Sequence, residues 1–118
     1  SYILRLADIK LLKAEALNEL SAGGWSSAKT IVDEIRGRVN LGGTPANSQS
    51  AMRLAIEKER RLELAFEGHR WFDLLRTNRA VEVMNAQRDD NGALLYNIST
   101  SKLLFPIPQA ERDRNPNL

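Results

Sequence analysis

The feature that most constrains this fold is the run 57–76, in which charged and apolar side chains alternate with helical spacing. Glu59, Glu63 and Glu67 fall four residues apart, so a helix places them on one face, where like charges repel by about 0.2–0.5 kcal/mol per pair. Such a row is stable only if cations reach it, and Arg60, Arg70 and Arg76 are near enough in sequence to do so. The pattern therefore predicts a structural ion-pair network with these members: Glu59, Glu63, Glu67, Arg70, Asp73 and Arg76. Within it, we expect Glu67 to pair with Arg70 or Arg76 and to be largely shielded from water.

The same run predicts a long helix, a turn and a short helix. Asn47 or Ser48 can cap a helix that continues to about Glu67, and Gly68 is a typical stop signal before a short helix over 69–77. The inner face of the long helix is predicted from its apolar positions: Met52, Ala55, Ile56, Leu62, Ala65 and Phe66. The inner face of the short helix is predicted to hold Trp71, Leu74 and Leu75.

Two helices are predicted before this run, over 3–20 and 25–39. The first carries two apolar stripes, which are Leu4, Ala7, Leu11, Ala14 and Leu17, and Ile9, Leu12, Ala16 and Leu20. The second carries one stripe, which is Trp25, Ala28, Val32, Ile35 and Val39. Because the two helices form an αα-hairpin, reminiscent of a tetratricopeptide unit, only one side of the first is covered by the second. We expect its other side to be exposed or covered by another copy of the chain.

The remainder of the chain predicts little regular structure. A weak helical turn is expected over 79–86, and a tight turn at 90–92. Prolines at positions 106, 108 and 116 interrupt the closing stretch, which leaves an irregular proline-rich arm with one helical turn over 109–112. The predicted fold class is all-α, in a single domain over 1–118: a helical hairpin, a long helix and a short helix, with this irregular C-terminal arm.

The composition is ordinary for a globular chain and excludes several functions. Hydrophobic residues make up 42% and charged residues 27% of the 118 residues, as in most folded proteins. The net charge is only +2 and acids and bases are interleaved, which does not indicate a nucleic-acid interface. No run approaches the roughly 20 apolar residues that span a bilayer. The sequence has no cysteine, which excludes a disulfide framework and a thiol nucleophile.

Candidate reactive groups are few. Glu63 and Glu67 could form a carboxylate pair of the kind used in glycoside hydrolysis, but side by side on one helix, among arginines, they favour ion pairing. His69, the single histidine, lacks the spacing of a zinc site. The aromatic side chains that could stack on sugar rings or bases are Trp25, Trp71, Phe72 and Tyr96. Trp25 and Trp71 lie on predicted core faces, which favours packing for these two. No catalytic residue, metal ligand or cofactor is predicted, and the ligand-binding residues stay undefined.

Four segments, in order, resemble the SusD/RagB family. The run ERRLELAFEGHRWFDLLR at 59–76 is similar to the family's C-terminal signature. The segments at 5–20, 31–41 and 103–118 are similar to its RxADxxLxxAEALN helix, its VxxIRxR segment and its PIPxxE…NPxL ending. Because the four segments keep the family's order over nearly the whole chain, the resemblance is specific.

The resemblance implies the C-terminal portion of an outer-membrane, cell-surface lipoprotein that binds nutrients, mostly glycans, without chemistry. It implies a SusC-like TonB-dependent transporter as partner, an oligosaccharide ligand bound through the full-length protein, and no nucleic acid. Attachment to the membrane would occur only through a lipid anchor absent from this chain, which is itself expected to be soluble. Since the family's ligand-contacting aromatic residues lie mostly elsewhere, the chain is expected to be a scaffold. The alternative is a helical tetratricopeptide-like adaptor that binds a protein or peptide.

Overall fold

The computed structural model describes residues 4–115 and 117. Its helices are α1 (Leu6–Leu20), α2 (Trp25–Gly37), α3 (Gln49–Glu63), α4 (Arg70–Arg76), α5 (Ala80–Asn85) and α6 (Gln109–Arg114), with a short 3-10 helix at Thr100–Lys102. The prediction of an all-α fold is confirmed, since these described residues form helices and no strand. The 3-10 helix was not predicted. Ile3, Pro116 and Leu118, which belong to the predicted first helix and C-terminal arm, lie outside the described residues.

The chain divides into two compact units, unit 1 (Ser1–Arg70) and unit 2 (Trp71–Leu118). In unit 1, α1, α2 and α3 pack on one another. Their shared core consists of Ala14, Ala28, Val32, Ala46, Met52 and Ile56. Ala14 and Ala28 lie on helices, where small side chains let the helix axes approach closely, and Ala46 comes from the loop before α3. The core is therefore formed where the apolar positions of the three helices face one another.

The ends of α1 and α3 show that these two helices run antiparallel. Asn18 near the end of α1 donates from Nδ2 to the carbonyl oxygen of Gln49 (3.0 Å), and Gln49 donates from Nε2 to the carbonyl oxygen of Asn18 (2.8 Å). Gln49 opens α3, whose N-terminus is capped by the Ser48 hydroxyl accepting from the Ala51 amide at 3.2 Å. The capping role predicted for Asn47 or Ser48 thus belongs to Ser48.

The two apolar stripes of α1 have different environments. Ala7, Leu11 and Ala14 of the first stripe are buried, although Leu4 of that stripe is 69% exposed. The second stripe is exposed, at 48% for Ile9 and 81% for Leu20. The expectation that one side of α1 is uncovered by the hairpin is therefore confirmed.

The last turn of α3 departs from the prediction. The helix ends at Glu63 rather than Glu67, and Leu62 and Phe66 of the predicted inner face are 56% and 107% exposed. Leu62 lies roughly 240° around the helix from Ile56, or about 120° in the other sense, so it faces away from the core. Ala65 is also exposed, because the chain has left the helix by then. The prediction is right for Met52 and Ile56 and wrong for these three residues.

Charged side chains replace the apolar ones at that end. Glu59 and Arg60 are buried, at 6% and 5% exposure, followed by Leu64 at 3%. Val39 at the end of the α2 stripe is likewise 59% exposed, because α2 already ends at Gly37. Burial of a charge without a partner is very costly. Glu59 and Arg60 therefore require ion-pair partners inside unit 1.

Unit 2 is held by short-range contacts. Leu74 of α4 and Ala80 of α5 are buried, while the other two predicted inward residues of α4, Trp71 and Leu75, are half-buried. Asn85 fixes the segment before the 3-10 helix, since its Oδ1 accepts from the Ile98 amide (2.8 Å) and its Nδ2 donates to the Ile98 carbonyl oxygen (2.9 Å). The tight turn predicted at 90–92 is present, closed by the Gly92 amide on the Asp89 carbonyl oxygen at 3.0 Å.

Candidate functional site

The most buried of the polar contacts in the described part of unit 1 joins α1 to α3. Nη1 of Arg60 donates to Oδ1 of Asp8 at 2.7 Å, and the two side chains retain only 5% and 6% of their exposure. Asp8 is outside the predicted ion-pair network, and Arg60, one of the cations expected to reach the glutamate row, pairs with Asp8. Asp8 lies three residues before Leu11, on the buried side of α1, and an acid in that position is a sequence signal for a buried cation partner.

A second buried carboxylate joins α3 to α2. Oε1 of Glu59 accepts from Nη1 of Arg36 at 2.5 Å, and the side chains keep 8% and 20% of their exposure. Arg36 also donates from Nε to the carbonyl oxygen of Gly42 at 2.7 Å. Glu59 of the predicted network is therefore ion-paired, with an arginine from another helix rather than from its own run.

Arg5, immediately before α1, holds the C-terminal end of α3. Its guanidinium donates to Oε1 of Glu63 (2.9 Å), to the Glu63 carbonyl oxygen (3.1 Å) and to Oε1 of Glu67. The hydrogen bond with Glu67 is the main cause that raises the pKa of the Arg5 guanidinium above its ordinary value. Glu63 also lies 3.6 Å from Nη2 of Arg38. The helix end is thus tied to residues distant in sequence.

The predicted partners of Glu67 contact other carboxylates. Arg70 pairs with Glu57 at 3.3 Å, and Arg76 pairs with Asp73 at 3.0 Å. The Glu67 side chain is paired with Arg5 and retains 32% of its exposure. The predictions that Glu67 pairs with Arg70 or Arg76 and is largely shielded are both wrong, because the chain leaves the helix at Leu64 and carries Glu67 to the surface beside α1.

A loop with no regular structure, 40–48, is fixed on α2 by polar contacts. Nζ of Lys29 lies 2.7 Å from Oδ2 of Asp33 and 2.6 Å from the Thr44 carbonyl oxygen, and Oδ1 of Asp33 accepts from the Thr44 amide at 2.6 Å. Burial raises the pKa of the Asp33 carboxyl, but the hydrogen bonds from Lys29 and from Thr44 outweigh it and hold that pKa below its ordinary value. The loop therefore has a defined position over the core.

The aromatic and histidine candidates have no arrangement that indicates chemistry. Trp25 is half-buried and packs against the core of unit 1, which supports its packing role. Trp71 and His69 are half-buried, and Tyr96 in the arm is 46% exposed. Among the described residues, no group of three or more His, Cys, Asp or Glu side chains could hold a metal ion.

These features define a class: an all-α chain in whose described residues buried ion pairs join one helix to another. The family comparison gives this class a name. The model of the SusD family matches residues 1–118, and the chain belongs to that family. The SusD family is a family of non-catalytic binding proteins, typically lipoproteins of the cell surface, so its members bind rather than transform their ligands.

Two SusD-like proteins of Formosa agariphila are similar to the chain. One is 47% identical and the other 38% identical, each over 98% of the chain. The alignments cover 23% and 24% of those proteins. The chain thus spans about a quarter of the length of the curated relatives that it matches.

Solved structures show the same fold. A SusD superfamily protein from Parabacteroides distasonis superposes with a TM-score of 0.70 over 94% of the chain and 24% of its own length, at 29% identity. A laminarin-binding SusD-like protein superposes with a TM-score of 0.58 over 71% of the chain and 16% of its own length, at 46% identity. In the described residues, no helix is long and apolar enough to cross a membrane.

Proposed function

We propose that this chain is the scaffold portion of a longer cell-surface protein that captures a glycan for a TonB-dependent outer-membrane transporter. The scaffold role is supported by one observation: charged residues of the family-like segments form ion pairs with one another. Arg5 and Asp8 of the first segment contact Glu63 and Arg60 of the signature run. These side chains, which could have formed a polar ligand site, are instead engaged in contacts between helices.

Arg36 of the VxxIRxR segment extends the same pattern to a third element. It contacts Glu59 in the signature run and the carbonyl oxygen of Gly42 in the loop after α2. Three of the four family-like segments are therefore joined to one another by ion pairs in unit 1. A motif used in this way fixes the relative positions of helices, which is what a scaffold for a binding site requires.

The glycan as ligand class is supported by the laminarin-binding SusD-like protein, which is 46% identical over 71% of the chain. Sugar recognition needs exposed aromatic rings and polar groups in a concave site. In the described residues, Trp25 packs against the core, and Tyr96 lies in the irregular arm. The sugar-contacting residues are accordingly assigned to the remainder of the longer protein, and laminarin is the first glycan to test.

Isothermal titration calorimetry with laminarin tests this proposal on the full-length protein and on the 118-residue chain. We expect the full-length protein to bind and to release no reducing ends, and the chain alone to show no heat of binding. As a control, Tyr96→Ala in the full-length protein should leave the affinity unchanged, because the proposal assigns the sugar contacts to the remainder of the longer protein. Micromolar binding by the chain alone would overturn the scaffold role, and release of reducing ends would overturn the non-catalytic role.

The transporter as partner is tested separately. We expect the full-length protein, purified from outer membranes under mild detergent, to retain a TonB-dependent transporter encoded beside it. Purification of the full-length protein without any such transporter, under conditions that preserve glycan binding, would contradict the delivery role. It would favour a peptide-binding adaptor if a protein ligand were found instead.

A further inference from the structure

Phe66 has an unusual combination of conformation and exposure. Its side chain is fully exposed, at 107%, and its backbone has φ +63°. A bulky residue with positive φ is an outlier, because the left-handed region brings Cβ close to the following carbonyl oxygen. Strained backbone of this kind persists only where surrounding contacts hold it in place.

Arg5 supplies those contacts on both sides of Phe66. Its guanidinium donates to the side chain and the carbonyl oxygen of Glu63, at 2.9 and 3.1 Å, and pairs with Glu67 just after the phenylalanine. Within the turn itself, the Glu67 amide donates to the Leu64 carbonyl oxygen at 3.2 Å. The turn is therefore held in one conformation, with the aromatic ring directed into solvent.

Other apolar side chains are exposed at the same end of unit 1. Leu4 and Leu6 flank Arg5 and are 69% and 66% exposed, and Leu62 in the last turn of α3 is 56% exposed. Because Arg5 contacts the end of α3, these residues lie at one end of the helix bundle with Phe66. We call the set Leu4, Leu6, Leu62 and Phe66 the apolar end. Exposed apolar patches rimmed by polar residues mark interaction sites, and protein partners are one class of occupant.

We propose that the apolar end docks against the remainder of the longer SusD-family polypeptide, with Phe66 as its anchor in an apolar pocket there. The chain covers only 23% and 24% of its curated relatives, so about three quarters of the family protein lies outside it and is available as the occupant. Phe66 is a single, fully exposed ring rather than part of a concave site, which does not suit a sugar. Docked aromatic anchors, held rigidly before association, carry most of the binding energy of an interface. This inference rests on the proposed function only in requiring a longer polypeptide.

The proposal is tested by whether Phe66→Gly raises or lowers the urea midpoint of the full-length protein. Glycine relieves strain at positive φ, so Phe66→Gly at an exposed position would raise the urea midpoint. At a docked position, the loss of the buried ring outweighs this relief, and the midpoint falls. We expect a lower midpoint for Phe66→Gly in the full-length protein and a higher one in the 118-residue chain. Leu54→Ala, at a 54% exposed residue of α3 outside the apolar end, is the control and should change either midpoint little.

A second measurement covers variants whose melting is not reversible. Phe66→Cys and Lys58→Cys introduce thiols into a segment without cysteine, and Lys58 is exposed on α3. In the full-length protein, Phe66→Cys should be labelled by a maleimide at least about ten times more slowly than Lys58→Cys, because labelling must wait for local opening. Equal labelling rates, or a raised midpoint for full-length Phe66→Gly, would overturn the proposal. If Phe66→Gly abolishes self-association of the 118-residue chain, and the two cysteine variants of the full-length protein are labelled at equal rates, the occupant is a second copy of the chain. That result would also overturn the proposal. Laminarin binding by the unmodified full-length protein reports on the proposed function independently.

Discussion

Replacement of Arg60 by methionine removes the cation of the ion pair that joins α1 to α3. Nη1 of Arg60 lies 2.7 Å from Oδ1 of Asp8, and the two side chains keep 5% and 6% of their exposure. Methionine retains the aliphatic stem and removes the charge, so the packing changes little. The Asp8 carboxylate would then be left buried without its guanidinium partner. This uncompensated buried charge is the main reason why breaking a buried pair is destabilising.

The magnitude follows from this burial. Breaking a buried ion pair by removing one partner costs about 3–5 kcal/mol, whereas a folded chain of this size has a free energy of unfolding of roughly 6–18 kcal/mol, at about 0.05–0.15 kcal/mol per residue. With a urea slope of about 2 kcal/mol per M, the midpoint should fall by about 1.5–2.5 M. The substitution is therefore expected to remove a large share of the stability of unit 1.

Urea denaturation followed by circular dichroism measures the effect. Adding Asp8→Asn to Arg60→Met should restore part of the loss, because a neutral amide costs less to bury than a carboxylate. Glu19→Gln is the matched control, since the Glu19–Arg53 pair also joins α1 to α3 but its side chains keep 45% and 52% of their exposure. An exposed pair contributes about 0–1 kcal/mol. A loss for Arg60→Met no larger than that for Glu19→Gln would refute the reasoning.

Three further predictions concern the surface of unit 1. Glu67→Gln should lower the free energy of unfolding by only about 0–1 kcal/mol, because the Glu67–Arg5 pair is partly exposed, with 32% and 36% of the side-chain surface accessible; a larger loss in a urea melt would contradict this. The pKa of Asp33 is lower in the folded state, so its stabilisation is present above the unfolded-state pKa of about 3.9 and is lost as the pH falls through the folded-state value. As the pH is lowered from about 6 to about 3, the urea midpoint should consequently drop less for Asp33→Asn than for the unmodified chain. Equal drops for the two proteins would contradict a stabilising role of the Asp33 carboxylate. Leu12→Glu on the exposed stripe of α1 should reduce concentration-dependent association of the chain in sedimentation velocity, and a monomeric unmodified chain would show that the stripe does not associate.

The helices were predictable from the sequence because their signals are local. Apolar spacing places α1, α2 and α3, and glycines lie at both ends of α2, where Gly24 precedes the helix and Gly37 is its last residue. The need of Glu59, Glu63 and Glu67 for cations was also visible, since like charges four residues apart repel. Local patterns therefore predict that these elements are helices and that each carboxylate requires a cationic partner.

The identity of the ion-pair partners was not predictable from local patterns. Arg5 is 58 positions from Glu63, Arg60 is 52 from Asp8, and Arg36 is 23 from Glu59. The first two pairings depend on the antiparallel packing of α1 on α3, and the third depends on the packing of α2 on α3. No spacing rule within one helix specifies either packing. The exposed position of Phe66 escaped prediction for a related reason: the end of α3 at Glu63 is fixed by Arg5, a residue from outside the helix.

The turn between α1 and α2 offers a matched pair of glycines for a final prediction. A Cβ at Gly24 would collide with the backbone carbonyl group of Leu17, whereas a Cβ at Gly23 would meet nothing within 4 Å. Gly24 has φ −62°, a conformation that alanine adopts readily, so the penalty for Gly24→Ala is purely steric. Because its neighbour is backbone rather than a flexible side chain, α2 would have to move away from α1.

We expect Gly24→Ala to destabilise the chain by about 1–3 kcal/mol, the usual cost of overpacking. Gly23→Ala should be neutral or stabilising by up to about 1 kcal/mol, since alanine lowers the entropy of the unfolded chain. Paired urea melts distinguish the two, and near-UV circular dichroism of Trp25, the first residue of α2, should change for Gly24→Ala alone. Equal stability of the two variants would show that α1 and α2 can separate at this turn without cost. The close approach of the two helices would then have no part in positioning the core.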